Sequence, residues 1–253
     1  MAKEKIDYMD LNHKAIELRK KLGEDDSSSI DIFNIAANCN GLTLMFYPMS
    51  AGISGMCIKD EGNMIISLNS KLSSGRQRFT LAHELCHLYF HDSQSCYVCA
   101  FDKNAKTQKE IEADIFASYF LAPYSSFKNY VNGITNGRKE ILICDVIKCG
   151  QKFGLSHLAT IIRLKQEGFI SDAQSEEFKV IKPAPIARAM GFSTELYAPK
   201  FHDKEKYTMG EYILLANELN ERDVVSTSKY EGLLLDVYRD DIVYGEGGDC
   251  DID

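Results

Sequence analysis

Apolar positions recur among polar ones from the start of the chain: Ile6, Met9, Ile16 and Leu18 within residues 5 to 22, ended by Gly23, predict an amphipathic helix. The polar run DDSSS then marks a loop. Asp31 to Asn38 predicts a second helix closed by NCNG, and LTLMFY after it has strand character. GMCIK and MIISLN are short β-rich runs joined by the turn-forming DEGN, which predicts a hairpin.

In SSGRQRFTLAHELCHLYFH the pattern becomes helical, with Ser74 and Gln77 at capping-box spacing and a run to about His91. Thr107 to Leu121 predicts another helix, apolar on most faces and therefore buried, stopped by Pro123. Residues 138–153 and 156–167 predict two helices joined through Gly154, with Ser156 as cap. After EEFKVIKPAP the composition shifts. Helices are expected near 208–220 and 228–239, followed by the acidic tail DDIVYGEGGDCDID. The expected division is a domain over 1–180, with a helix-turn-helix-like segment near 140–168, and a helical extension over 181–253.

Composition changes this picture little. The chain has 253 residues, 45% of them hydrophobic, enough for a real core. Its formal charge of −8 repels phosphate backbones and argues against direct nucleic-acid binding. No apolar run reaches the length of a signal peptide's core or a membrane span, so a cytoplasmic protein is expected. The eight cysteines then read as thiols. Cys96 and Cys99 have CxxC spacing and Cys144 and Cys149 lie further on, but only the first pair is tight, which makes a structural zinc site the weaker reading.

Three of the six histidines fall within RFTLAHELCHLYFH. His83, Glu84 and His87 form HExxH: on a helix, two imidazoles at i and i+4 share a face and can bind one Zn2+, and the glutamate beside the first reaches a metal-bound water. A solvated surface helix fits poorly, because Phe79, Leu81, Ala82, Leu85 and Leu88 nearly surround these polar groups. Catalytic zinc takes a third protein ligand. Phe90 and Ser93 break the longer metzincin pattern, and His91, one turn further along the same helix, is too distant to ligate. His91 is expected to cap the helix or sit beside the cleft.

The segment TQKEIEADIFASYFLAP supplies the better candidate. Glu110 and Asp114 stand at i and i+4, and Ala113 and Ala117 allow a close approach to the metal helix. Glu110 would ligate and Asp114 would orient a ligating histidine. Thr107 and Glu110 also have capping-box spacing, so Glu110 as a helix cap is the competing reading, and Glu112 is the rival ligand. Tyr89, Tyr124 and His91 are candidates for stabilising an oxyanion.

RFTLAHELCHLYFH followed by EIEADIFASYFLAP resembles the ImmA/IrrE family of metallopeptidases, and the resemblance extends through FGLSHLATIIRLKQEGFI, roughly residues 30 to 172. It implies an α+β, zincin-like (gluzincin-type) peptidase domain with a small antiparallel sheet and an active-site helix. It also implies His83, His87 and Glu110 as zinc ligands, Glu84 as base, and a helix-turn-helix repressor of phage or mobile-element type as the protein substrate, whose cleavage relieves repression. Cys86 stands where the family has Gly, and FLAP replaces LLMP. A buried thiol filling a helix contact is the simpler account of Cys86.

Two other functions compete. Lys148, Lys152, Arg163 and Lys165 lie in a segment of helix-turn-helix spacing, although His157, Ala159 and Thr160 make a weak base-reading set. A non-proteolytic zinc-containing regulator would have no need of Glu84. An edge strand formed by GMCIK or MIISLN could pair with an extended substrate.

Overall fold

In the computed structural model, which describes residues 6–60, 62–91, 97–100, 107–201 and 203–245, the chain opens on helix α1 (Tyr8–Lys21). Asp7 caps it, its carboxylate accepting from the Met9 and Asp10 amides. Leu11, Ala15 and Leu18 form the buried stripe, whereas Met9, read as apolar packing, is exposed. Arg19 is fully buried yet satisfied, donating to the carbonyls of Asp25, Ser28 and Phe120.

Helix α2 (Ile32–Ala37) leads into β1 (Leu42–Tyr47), β2 (Ile53–Asp60) and β3 (Asn63–Asn69). β2 and β3 make the expected hairpin, and Met64, Ile66 and Leu68 alternate into the core. Two further strands were not evident from the sequence: β4 (Tyr97–Ala100) and β5 (Tyr207–Gly210) complete a sheet of order β4-β2-β3-β1-β5. The expected antiparallel sheet is in fact mixed. After β1 the chain crosses to the far side of β3 to form β2, then turns back between them, so β1 and β3 run parallel. β4 also covers β2 from Ile53 to Cys57, so β2 is no free edge for a substrate strand. The β2–β4 register shifts between Ile53 and Gly55, leaving Ser54 at a bulge.

Helix α3 (Ser74–Phe90) lies against β2 and β3. Its expected cap is corrected: Ser73, not Ser74, holds the N-cap position, without a side-chain cap bond. Gln77 faces inward, its amide donating to the Asn69 and Ser70 carbonyls and its oxygen accepting from the Lys200 amide. Tertiary partners outcompete the local capping box. Helix α4 (Gln108–Leu121) packs on α3 through Ala113 and Ala117, both fully buried, as their size allows.

Helix α5 (Tyr124–Thr135) was not expected; it presents Phe127 and Val131 to the core. Helix α6 (Ile143–Phe153) starts later than residue 138, because Asp145 accepts from the Leu142 amide and pairs with Arg138 at 3.0 Å. Gly154, at φ 65°, ends α6, and Ser156 caps α7 (His157–Gln166) as expected. Arg163 of α7 is not a surface cation. It is 1% exposed, bonded to Ser118 and Glu167, and stacked on Tyr119 and Phe127.

Helices α8 (Asp172–Lys179) and α9 (Pro183–Ala189) follow, then β5, α10 (Glu211–Glu221), α11 (Thr227–Asp236) and α12 (Asp240–Tyr244), the last within the segment read as an acidic tail. Ile213, Ala216, Leu234 and Val237 make a small separate core. β5 ties it to β1, and so do bonds from the Gly41 amide to Glu211 and from the Tyr212 amide to Thr43, both 3.1 Å. No helix among the described residues is long and apolar enough to cross a membrane. Of the CxxC pair, Cys96 lies outside the described residues, and Cys99 enters only as a β4 backbone position opposite Gly55.

Candidate metal centre

The i and i+4 spacing on α3 puts His83 and His87 on one buried face, their Nε2 atoms 3.1 Å apart. α4 enters with its first turn over them. Thr107 caps α4 with its hydroxyl, accepting from the Glu110 amide at 3.3 Å, which leaves the Glu110 side chain free of the capping role. Its two oxygens lie 3.3 Å from His83 Nε2 and 3.2 Å from His87 Nε2. The competing cap and ligand readings therefore separate: the backbone amide is capped and the carboxylate faces the imidazoles.

His83, His87 and Glu110 are the cluster able to hold a metal among the described residues. A tetrahedral ion with bonds of about 2.0–2.1 Å keeps its ligand atoms about 3.3–3.4 Å apart, close to the three separations found here. The second ring nitrogens support this. His83 Nδ1 donates to Asp114 Oδ1 at 3.0 Å, turning the Nε2 lone pair towards the triangle. His87 Nδ1 lies 2.7 Å from His91 Nδ1, and burial together with the neighbouring His87 pushes His91 down to about 4. In the tautomer in which His87 Nδ1 donates to His91, the His87 Nε2 lone pair joins that of His83 and the Glu110 carboxylate, and such a set of acceptors suits a cation.

Burial opposes charging of His83, but hydrogen bonds to Asp114 and Glu110 outweigh it and hold the imidazole up to about 9. The same bonds to His83 and His87 hold Glu110 well below the usual carboxylate range. Glu112, the rival ligand, points elsewhere: it accepts from Gln108 at 3.0 Å and stands 3.9 Å from His91.

Glu84 is fully buried between α3 and β2. Gly55 permits this, since a Cβ there would stand 3.3 Å from Glu84 Oε1 and 2.6 Å from Thr80 Cγ2. A cleft of about 930 Å3 opens on the cluster, with His83, Glu110 and Asp114 in its wall beside Ser54, Phe79 and Thr80. Tyr89 and Tyr124 do not line it. Tyr89 bonds Cys39 at 3.2 Å, and the Tyr124 hydroxyl accepts from Lys128 at 2.9 Å. Sequence reasoning missed Ser54, Arg76 and Tyr197 as lining residues, and no local spacing marks them. Cys86 is buried on α3, where burial pushes its thiol up to about 12, as befits packing rather than reactivity.

A family model described as an IrrE N-terminal-like domain, Peptidase M78, matches residues 37–165, just over half of the chain and including every residue of the cluster. No curated protein matches. Among solved structures, a Mycobacterium tuberculosis transcriptional regulator is similar with a TM-score of 0.43 and 18% identity, covering 62% of this chain and 46% of that one. This chain thus spans less than half the length of that protein.

Proposed function

The chain belongs to the IrrE N-terminal-like family of metallopeptidases, and on that premise we propose that it is a zinc-dependent endopeptidase cutting one specific protein substrate. The observation that carries the proposal is the triangle of His83 Nε2, His87 Nε2 and Glu110 carboxylate oxygens, 3.1 to 3.3 Å on a side. Two imidazoles and one carboxylate are a donor set suited to zinc, and three protein ligands leave a position open for water or substrate.

When bound, zinc supplies Lewis acidity, lowering the pKa of water towards about 7 and polarising the scissile carbonyl. The chain's own groups do the rest. Glu84 takes the proton of the attacking water and delivers it to the departing amine. Asp114 and His91 hold the two imidazoles with Nε2 facing inward.

The substrate we assign is a helix-turn-helix repressor, whose cleavage relieves repression; the ImmA/IrrE resemblance supports this choice. The competing DNA-binding role is weakened by Arg163, whose guanidinium is engaged in the core. The test incubates the zinc-loaded chain, and Glu84→Gln beside it, with repressors encoded next to this gene, followed by mass spectrometry of fragments. A defined cut by the parent protein alone is expected. Equal repressor loss with both proteins, or binding without a cut, would favour a zinc-containing binding module instead.

A further inference from the structure

The cleft beside the metal cluster, about 930 Å3, extends well beyond the ligands themselves. It is lined by the α3 face carrying Arg76, Phe79, Thr80 and His83, and by Glu110, Asp114, Ile115 and Ser118 of α4. α7 and the linker between α8 and α9 line it as well. On α7, Leu158, Ile162 and Gln166 stand at i, i+4 and i+8, one helical stripe turned into the cleft. Leu158 is 42% exposed, Ile162 48% and Val180 of the linker 82%. Exposed aliphatic groups concentrated on one concave surface mark a binding site rather than scattered surface.

Charge narrows the occupant. The chain carries a formal −8, yet the exposed charged residues of this cleft are all basic, Lys179 and Lys182 beside an engaged Arg76. Lys179 is partly neutralised by Glu176 at 2.6 Å. The acids in the lining, Glu110 and Asp114, are both committed to the histidines. A cationic, apolar trough in an acidic protein complements an anionic, apolar guest. The trough is also continuous with the metal ligands, so what lies in it is presented to them.

We infer that the cleft is the recognition groove for an acidic peptide segment bearing bulky apolar side chains, with Leu158, Ile162 and Val180 receiving those side chains and Lys179 and Lys182 receiving the acids. The inference rests on the peptidase reading above and names its substrate class. Specificity is thereby set away from the reacting centre. It depends on α7 and the α8–α9 linker, so a segment with helix-turn-helix spacing serves as a wall for peptide.

The test measures fluorescence anisotropy of three short labelled peptides with zinc-loaded Glu84→Gln. One peptide mixes Leu and Phe with Glu, one replaces each Glu by Lys, and one replaces each Leu and Phe by Ser. The first should bind at least about tenfold more tightly than either other. Ile162→Asp and Val180→Asp, at exposed positions that leave the core intact, should each weaken it about tenfold. Lys179→Glu with Lys182→Glu should shift preference to the Lys peptide. No binding by any peptide, equal binding by all three, or unchanged binding by these variants overturns the groove. Its failure is separable from that of the peptidase reading: repressor cleavage with no peptide selectivity sinks only the groove, whereas selective binding without a cut by the parent protein sinks only the peptidase.

Discussion

Replacing Gly55 by Ala tests how closely β2 must approach α3 for Glu84 to sit where it does. The added Cβ would lie 2.6 Å from Thr80 Cγ2, 3.0 Å from the Ser67 carbonyl oxygen and 3.3 Å from Glu84 Oε1. Thr80 is β-branched, buried and helical, so its methyl has little rotational escape, and the Ser67 oxygen is backbone. Overpacking of this kind costs about 1–3 kcal/mol, offset by about 0.4–1 kcal/mol from the stiffer unfolded chain. A net loss of about 1–2 kcal/mol corresponds to a Tm lower by about 2–8 °C at this chain length. Thermal melts followed by circular dichroism give the stability. Elemental analysis should find the metal retained, and on the proposed mechanism cleavage of the proposed repressor substrate should fall because the shift reaches Glu84. Thr80→Ser removes the nearest atom, so the double variant should recover part of the loss, a coupling of about 0.5–1 kcal/mol. A melt within about 1 °C of the parent, or strict additivity with Thr80→Ser, would refute the contact.

Elemental analysis should find about one zinc per chain, lost in His83→Ala, His87→Ala and Glu110→Ala and kept in Glu84→Gln; metal retained without Glu110 would move the third ligand elsewhere. Zinc affinity should rise about tenfold per pH unit up to about pH 9, because the ion must displace the proton that His83 holds up to about 9. The sign for the metal-free fold is opposite: the contribution of protonated His83 to stability is complete below its ordinary value of 6.5 and is lost as pH rises through about 9. Competition with a chelator across that range reads the first, melts of stripped protein the second, and a flat profile contradicts both. Cys86→Gly should keep metal and cleavage while lowering stability by about 1–2 kcal/mol, from mid-helix glycine and a lost buried side chain; lost cleavage with metal still bound would give the thiol a direct role.

Local spacing carried much of this protein. Two histidines four residues apart share a face on any helix, so HExxH states its own geometry, and the small side chains of Ala113 and Ala117 signal a close helix contact from sequence alone. The hairpin of β2 and β3 was legible for the same reason, since strand alternation and turn chemistry act within a dozen residues. Glu110 is legible as the third ligand, but a helix cap competes with it, because Thr107 lies within capping range whether or not histidines wait on the other side.

The rest depended on partners distant in sequence. Tyr207 to Gly210 is a strand only because β1 offers it an edge, and four residues carry too little periodicity to announce that. Ser74 and Gln77 had the right spacing for a cap, yet Gln77 spends its amide on the Asn69 and Ser70 carbonyls and its oxygen on the Lys200 amide. The cleft gathers Ser54, Phe79, Ile162 and Val180 from four separate elements and linkers. Spacing encodes what neighbours along a helix or hairpin can do. Which distant groups meet is decided by the free energy of burying the whole core, and that sum belongs to the tertiary structure.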